Sequence, residues 1–251
     1  MAAVKDRPRL GLSFLRLFAV QGSWNYERML GLGVGVAAEA LLRDLKTDGN
    51  EDAYRAAVAR SARFFNAHPY LAGLAVGAAA RAEHDGMPPT QIERFRSALI
   101  SPLGALGDQL VWAAWLPLLA AAALAGIALG AGWIAVAAFV VVYNVGHVAL
   151  RWWALSAGWA HGAHVVAALQ AAHLQRASAI GVPAMGLVTG FALPLVAFSL
   201  AGSFGGWERL AVAVVAVVGF IALQLFQRVF SGLRLGLMAV ALALIVGWLW
   251  P

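Results

Sequence analysis

Between residues 110 and 250 the chain holds five long apolar stretches and a single acidic residue, Glu208. An apolar helix of about 20 residues crosses the hydrocarbon core of a bilayer. The pattern therefore predicts an all-α integral membrane protein, since helices satisfy their own backbone hydrogen bonds where no water can. The expected spans are Leu110–Leu129, Ala131–Leu150, Ala179–Ala201, Leu210–Phe226 and Leu233–Trp250. Only Gly130 separates the first two, which are read as a tight helical hairpin or as one broken element held inside protein.

Apolar types make up 62% of the 251 residues, far more than a soluble core needs. The formal charge of +6 does not signal nucleic acid, because the cations form no stripe interleaved with aromatics. Thirteen of the 18 Lys and Arg precede residue 100 and the others sit between spans. That distribution reads as positive-inside topology with attraction to anionic lipid, and it puts Arg151, Arg176, Arg228, Arg234 and the N-terminus on the cytoplasmic side. Trp248 and Trp250 are expected to anchor the opposite interface. With no cysteine, disulfides, thiolate metal sites and cysteine nucleophiles are excluded. The charged start, Met1 to Arg9, lacks the pattern of a secretory signal peptide.

Three regions are expected. Residues 1–100 hold ten of the twelve acids and read as an amphipathic or re-entrant helical module. Residues 101–201 carry a glycine-aspartate loop, the hairpin, a polar cytoplasmic connector over 154–177 and the third span. Residues 202–251 form a two-helix membrane hairpin. Within the module, Tyr54, Val58 and Phe65 fall on one helical face, and Pro69 is expected to stop that helix. Met29 to Leu42 and Tyr70 to Ala82 are too short to span and read as core helices or re-entrant hairpins.

Three motifs concentrate hydrogen-bonding chemistry. The run Gln21-Gly22-Ser23-Trp24-Asn25-Tyr26-Glu27-Arg28 combines amides, a carboxylate, a guanidinium and aromatics, the groups that bracket sugar hydroxyls and cover a C–H face. It also reads as a helix start, with Ser23 or Asn25 capping and Trp24 at the interface. Asn66-Ala67-His68-Pro69 places an amide and an imidazole beside an apolar stretch, as a substrate contact or as a helix C-cap. Ser101 to Gln109 is a glycine-bearing loop that delivers Asp108 into the first span. A charge at membrane depth costs on the order of 3 kcal/mol, so such a group faces a bundle interior or a water-filled site, unless it merely caps a helix at the membrane surface.

Other signals fail. Gly31, Gly33 and Gly35 lack dinucleotide-loop spacing, and His161, His164 and His173 spread around a helix at about 100° per residue instead of converging on a metal. No nucleophile elbow, zinc-protease motif or phosphate loop is present. No cofactor, metal or catalytic residue is assigned.

With these motifs in hand, the sequence resembles the IID membrane subunit of the mannose/fructose/sorbose-family phosphotransferase system, from about Leu15 to Gly190. The family's Q-G-S-W-N-Y-E-R run is intact, F-F-N-T-H-P appears with Ala67 in place of Thr, and the glycine-aspartate motif appears as Ser101 to Trp112. Phe139, Asn144, Arg151, Gly158 and Gly162 also fall where that pattern leads one to expect them. The resemblance implies a non-phosphorylated, non-enzymatic subunit in a bacterial inner membrane that pairs with IIC as a trimer of heterodimers. It imports a hexose that cytoplasmic IIB phosphorylates after charging by IIA. On this reading Gln21, Trp24, Asn25, Glu27, Asn66, His68, Asp108 and Gln109 line or support the substrate path. Ser101, Ala105, Gln109 and Leu116 depart from the family pattern, which motivates a rival reading as a non-transporting scaffold or regulator of a partial phosphotransferase relay.

Overall fold

A computed structural model describes residues 9–47, 50–171 and 173–200, which divide between two compact units, Met1–Gly190 and Phe191–Pro251. The fold is all-helical. In chain order come α1 (Leu10–Leu17), α2 (Gly31–Thr47), α3 (Glu51–Ser61), α4 (Ala72–His84) and α5 (Pro89–Gly107), then a π-helical stretch, Asp108–Trp115. After it follow α6 (Leu116–Ala128), α7 (Trp133–His161), a short 3-10 turn, α8 (Val165–Ala171) and α9 (Leu174–Leu200). Three helical segments are long and apolar enough to cross a bilayer: Pro89–Ala128, Trp133–Ala167 and Leu174–Ala197. The expected spans at 210–226 and 233–250 lie outside the described residues.

The first unit is built around α4. Ten of its 13 residues are buried, on every side of the helix, so protein and not water surrounds it. Its chief neighbour is α7. A Cβ on Gly77 would come within 2.5 Å of the Leu155 carbonyl oxygen, and one on Gly158 within 2.2 Å of that of Leu74. These glycines set how closely the two backbones approach. The apolar stretches read as core or re-entrant helices are helical and largely buried, and α2 packs against α1, α3 and α4.

Ionic contacts tie the outer helices to this core. Arg60 of α3 and Glu83 of α4 form a bidentate pair with both distances at 2.8 Å. Buried Arg96 of α5 donates to the carbonyls of Arg60 and Ser61, closing the C-terminal end of α3. Glu39 of α2 accepts hydrogen bonds from Arg16, Arg43 and the Tyr54 hydroxyl. Burial alone would raise its carboxyl, but the guanidinium partners outweigh that and hold its pKa at about 2.

The hairpin is as expected. α6 ends at Ala128, Gly130 and Gly132 turn the chain at φ of +95° and +54°, and α7 starts at Trp133. Four expectations are corrected. α3 stops at Ser61, well before Pro69, because Phe65 pairs with Arg28 and Leu30 and the Pro69 carbonyl accepts from Arg151. Residues 101–109 are not a loop: they are the last turns of α5 and the start of the π-helix, with Pro102 inside the helix. Backbone between protein and lipid gains more from continuous internal hydrogen bonding than Pro102 and the glycines lose locally. Residues 154–161 belong to α7, not to a connector. Arg151, expected at the cytoplasmic end of a span, lies within α7 and is 5% exposed. It donates to the carbonyls of Leu17 (2.6 Å) and Pro69 (3.3 Å) and stacks over the Tyr70 ring at 4.5 Å.

Candidate functional site

The segment 62–70 joins the three sequence motifs. On one side the Leu30 N–H donates to the Phe65 carbonyl (2.9 Å) and the Phe65 N–H donates to that of Arg28 (3.2 Å), so the end of the octet is zipped to it. On the other side it meets the glycine-aspartate motif. A Cβ on Gly107 would fall 2.1 Å from the Cβ of His68, so only glycine lets Asp108 and its helix pass this close to the imidazole.

Within the octet, the Asn25 Oδ1 accepts the N–H groups of Glu27 (3.1 Å) and Arg28 (2.9 Å) while its Nδ2 donates to the Ser23 carbonyl (3.1 Å). That is an Asx turn, so Asn25 shapes the loop and is largely spent on it. Trp24 and Tyr26 meet edge to face at 4.8 Å and both are exposed, as are Gln21 and Glu27. Glu27 lies 3.8 Å from Arg28. A cleft of about 540 Å³ between α1, α2 and α3 takes in Ser23, Arg16 and Glu39 but none of the eight residues expected at the site.

His68 is 2% exposed although Asn66, two positions earlier, is exposed. Its Nδ1 accepts the Tyr70 N–H at 3.2 Å, which puts the proton of the neutral ring on Nε2. The Nε2 is buried without a partner among the described residues. Burial, reinforced by the nearby Arg151 cation, pushes the imidazole down to about 4, so it is uncharged at neutral pH. Asp108 and Gln109 open the π-helix, side by side and exposed. Among the described residues neither makes a side-chain hydrogen bond. π-helical turns are rare and recur at functional sites because they re-aim side chains.

The structure therefore packs His68 against the helix that carries Asp108 and Gln109, with Asn66 two positions away on the same segment, and connects the octet to that segment through Phe65. No hydrogen bond, ion pair or ring contact among the described residues links Gln21, Trp24 or Glu27 to Asp108. Sequence reasoning did not assign the ring cluster that continues from His68. Trp112 lies 5.1 Å from His68 and 6.0 Å from Tyr70, while Tyr70 stacks on His147 at 5.1 Å. The hydroxyls of Tyr70 and Tyr143 are 2.6 Å apart. Phe139, Tyr143, His147 and Arg151 recur every fourth residue along α7, a signal that was legible as one helical face.

The family model described as PTS system mannose/fructose/sorbose family IID component matches residues 6–251. The mannose-specific EIID component of Escherichia coli K12 is 30% identical over 182 residues, covering 69% of this chain and 64% of that protein's length. The chain thus spans less than two thirds of that relative. The sorbose-specific EIID component of Klebsiella pneumoniae is 30% identical over 249 residues, 93% of this chain and 84% of the relative. Two solved chains share the fold at 22% identity. One, described as a membrane protein, has a TM-score of 0.66 over 96% of both chains. The other, from the mannose transporter ManYZ in complex with microcin E492, has a TM-score of 0.53 over 94% of both. A family match across nearly the whole length, on a helical frame that brings the family's motifs to one joint, establishes that this membrane protein belongs to the mannose/fructose/sorbose-family phosphotransferase IID components.

Proposed function

We propose that the chain is the IID half of a sugar permease in a bacterial inner membrane, N-terminus cytoplasmic, pairing with IIC as a trimer of heterodimers and bordered by anionic lipid. A hexose crosses this assembly and is phosphorylated by IIB, which IIA has charged; the chain itself performs no catalysis. The observation that carries the reading is the family match over residues 6–251. The mannose-, sorbose- and fructose-related names of the relatives favour a hexose. On this reading Asn66, His68, Asp108 and Gln109 border the path. Gln21, Trp24, Asn25 and Glu27 form a supporting loop, with Asn25 holding its shape.

Uptake of radiolabelled mannose, fructose and sorbose in a strain deleted for this gene tests the proposal. Uptake of one sugar should fall to background and return with the gene, and a tagged copy should co-purify IIC. Unchanged uptake of every phosphotransferase sugar in the deletion strain would reject transport and leave the scaffold reading.

A further inference from the structure

We infer that α1 is a membrane-surface helix: its outer face of Leu12, Leu15 and Phe18 lies in the acyl-chain boundary of the bilayer, and Arg9 and Arg16 beside that face meet anionic lipid headgroups. This assignment deepens the lipid part of the reading above and is independent of the solute carried.

The helix has two unlike faces. Ser13 and Leu17 are buried, while Leu12, Leu15 and Phe18 are 37%, 66% and 45% exposed. At about 100° per residue those three share an arc of about 120°, and Arg9 and Arg16 fall together on the flank beside Leu12. Exposed apolar side chains scattered singly are ordinary, but a stripe of them rimmed by cations marks a contact surface.

The stripe continues onto a neighbouring helix. Phe14 meets both Phe18 and Trp152 edge to face at 5.2 Å. Trp152 is exposed, and Val148, Val145, Val141 and Ile134 follow it along one exposed face of α7 at helical spacing. No residue from Trp133 to Leu150 is buried, and the segment is long and apolar enough to cross a bilayer. The face of α1 therefore extends the surface that α7 turns to lipid.

The two tryptophans give the depth. The 19 residues from Trp133 to Trp152 rise about 28 Å, close to the ~30 Å thickness of the hydrocarbon core. Both indoles are exposed, and such rings gather at the two membrane–water interfaces. With Trp133 at one interface, Trp152 stands at the other and α1 lies beside it. The paired rod agrees. Its exposed side chains from Leu129 back to Leu110 are apolar or aromatic, and the exposed polar ones begin at Gln109 and Asp108.

Charge selects among lipids. Arg9 is exposed. Arg16 commits its Nη1 to the Val36 carbonyl and to Glu39, and its Nε and Nη2 make no hydrogen bond among the described residues. Glu39 also accepts from Arg43, so one carboxylate faces two guanidinium groups. Lys5 and Arg7 precede the helix in sequence against the lone Asp6. A zwitterionic lipid satisfies the apolar face alone, whereas cations at its rim favour an anionic headgroup.

The chain has no cysteine, so a spin label can be placed at one chosen position. The test uses the full chain with a cysteine-free IIC, in nanodiscs of phosphatidylcholine and phosphatidylglycerol. Labels at Leu12→Cys and Leu15→Cys should collide with oxygen in preference to a water-soluble nickel chelate. Val145→Cys should behave the same way, and exposed Asp52→Cys on α3 should show the reverse. A fluorophore at Leu15→Cys should be quenched by brominated phosphatidylglycerol about fivefold more effectively than by brominated phosphatidylcholine, equivalent to ~1 kcal/mol. Arg9→Gln, which leaves the Arg16–Glu39 pair intact, should cut that preference about twofold or more.

Nickel preference at Leu12→Cys and Leu15→Cys would mean that water covers the face, and exclusion of both reagents that protein does. Either result overturns the proposal. Equal quenching by the two lipids, or a preference that Arg9→Gln leaves unchanged, overturns the anionic edge. Sugar uptake by cells carrying the same cysteine variants is scored separately, so the lipid contact and the transport reading fail independently.

Discussion

The two halves of α7 meet different surroundings. From Trp133 to Leu150 no residue is buried, and Val141 and Val145 are 59% and 64% exposed. From Arg151 onward the helix buries Arg151, Ala154, Leu155, Gly158 and Trp159, chiefly against α4. Hydrophobicity does not account for that burial, since the buried half, with Arg151 and His161, is the less apolar. What does is small-residue fit, Gly158 against Leu74 and Gly77 against Leu155, together with one cation that finds distant carbonyls. An apolar helix face packs on protein where a partner backbone can approach closely, and elsewhere it is left for lipid.

That contrast is most easily broken at Gly158. Gly158→Leu should cost about 5 kcal/mol or more, because the new side chain has only the Leu74 backbone to displace. Thermal unfolding in detergent should show the loss, and an unchanged midpoint would mean the α4–α7 contact is not set by glycine. Next comes Arg151→Met, expected to cost about 4 kcal/mol by leaving the Pro69 carbonyl unpaired and removing the short bond to Leu17 and the stacking on Tyr70. Its amide exchange should quicken in 151–161 more than in 133–150.

Acid gives a smaller, graded version of the same test. His68 has a folded pKa of about 4, below its unfolded 6.5, so the unfolded chain binds the proton first as pH drops. The stability that the neutral ring contributes is therefore full above pH 6.5 and lost progressively toward pH 4. The loss approaches ~3 kcal/mol at the lower limit. His68→Gln should flatten that slope in a pH series of unfolding midpoints. The smallest effect belongs to the exposed half: Val141→Ala should change stability in detergent by less than about 0.5 kcal/mol. A loss of several kcal/mol there would mean that protein and not lipid covers that half.

Much of this was legible from local pattern. The five-stretch profile fixes the class, and the lone Gly130 between two spans predicts the hairpin that forms. The shortness of Met29 to Leu42 and Tyr70 to Ala82 sets them apart from the spans. What escaped depends on distant partners. Arg151 has the sequence context of a positive-inside flank, because its acceptors, Leu17 and Pro69, lie 134 and 82 residues away. Residues 101–109 look like a loop because Pro102 and the glycines are breakers in water. Here Gly107 serves instead as the flat spot on which His68 rests. The octet's composition suits sugar chemistry or local capping, and for Asn25 the capping chemistry is what its bonds display. Asn144 stands in the sequence only as a position matching the family pattern, and its bond to His147 requires the fold.

The corner at Gly130 and Gly132 has a topological consequence. So few residues separate the helices that both must pivot about one leaflet, and neither can invert without its neighbour. If both rods cross the bilayer, Pro89 and His161, at their far ends, should emerge into the same compartment. An impermeant label reaching a cysteine introduced at one should reach a cysteine at the other with equal ease, whichever way the pair was threaded.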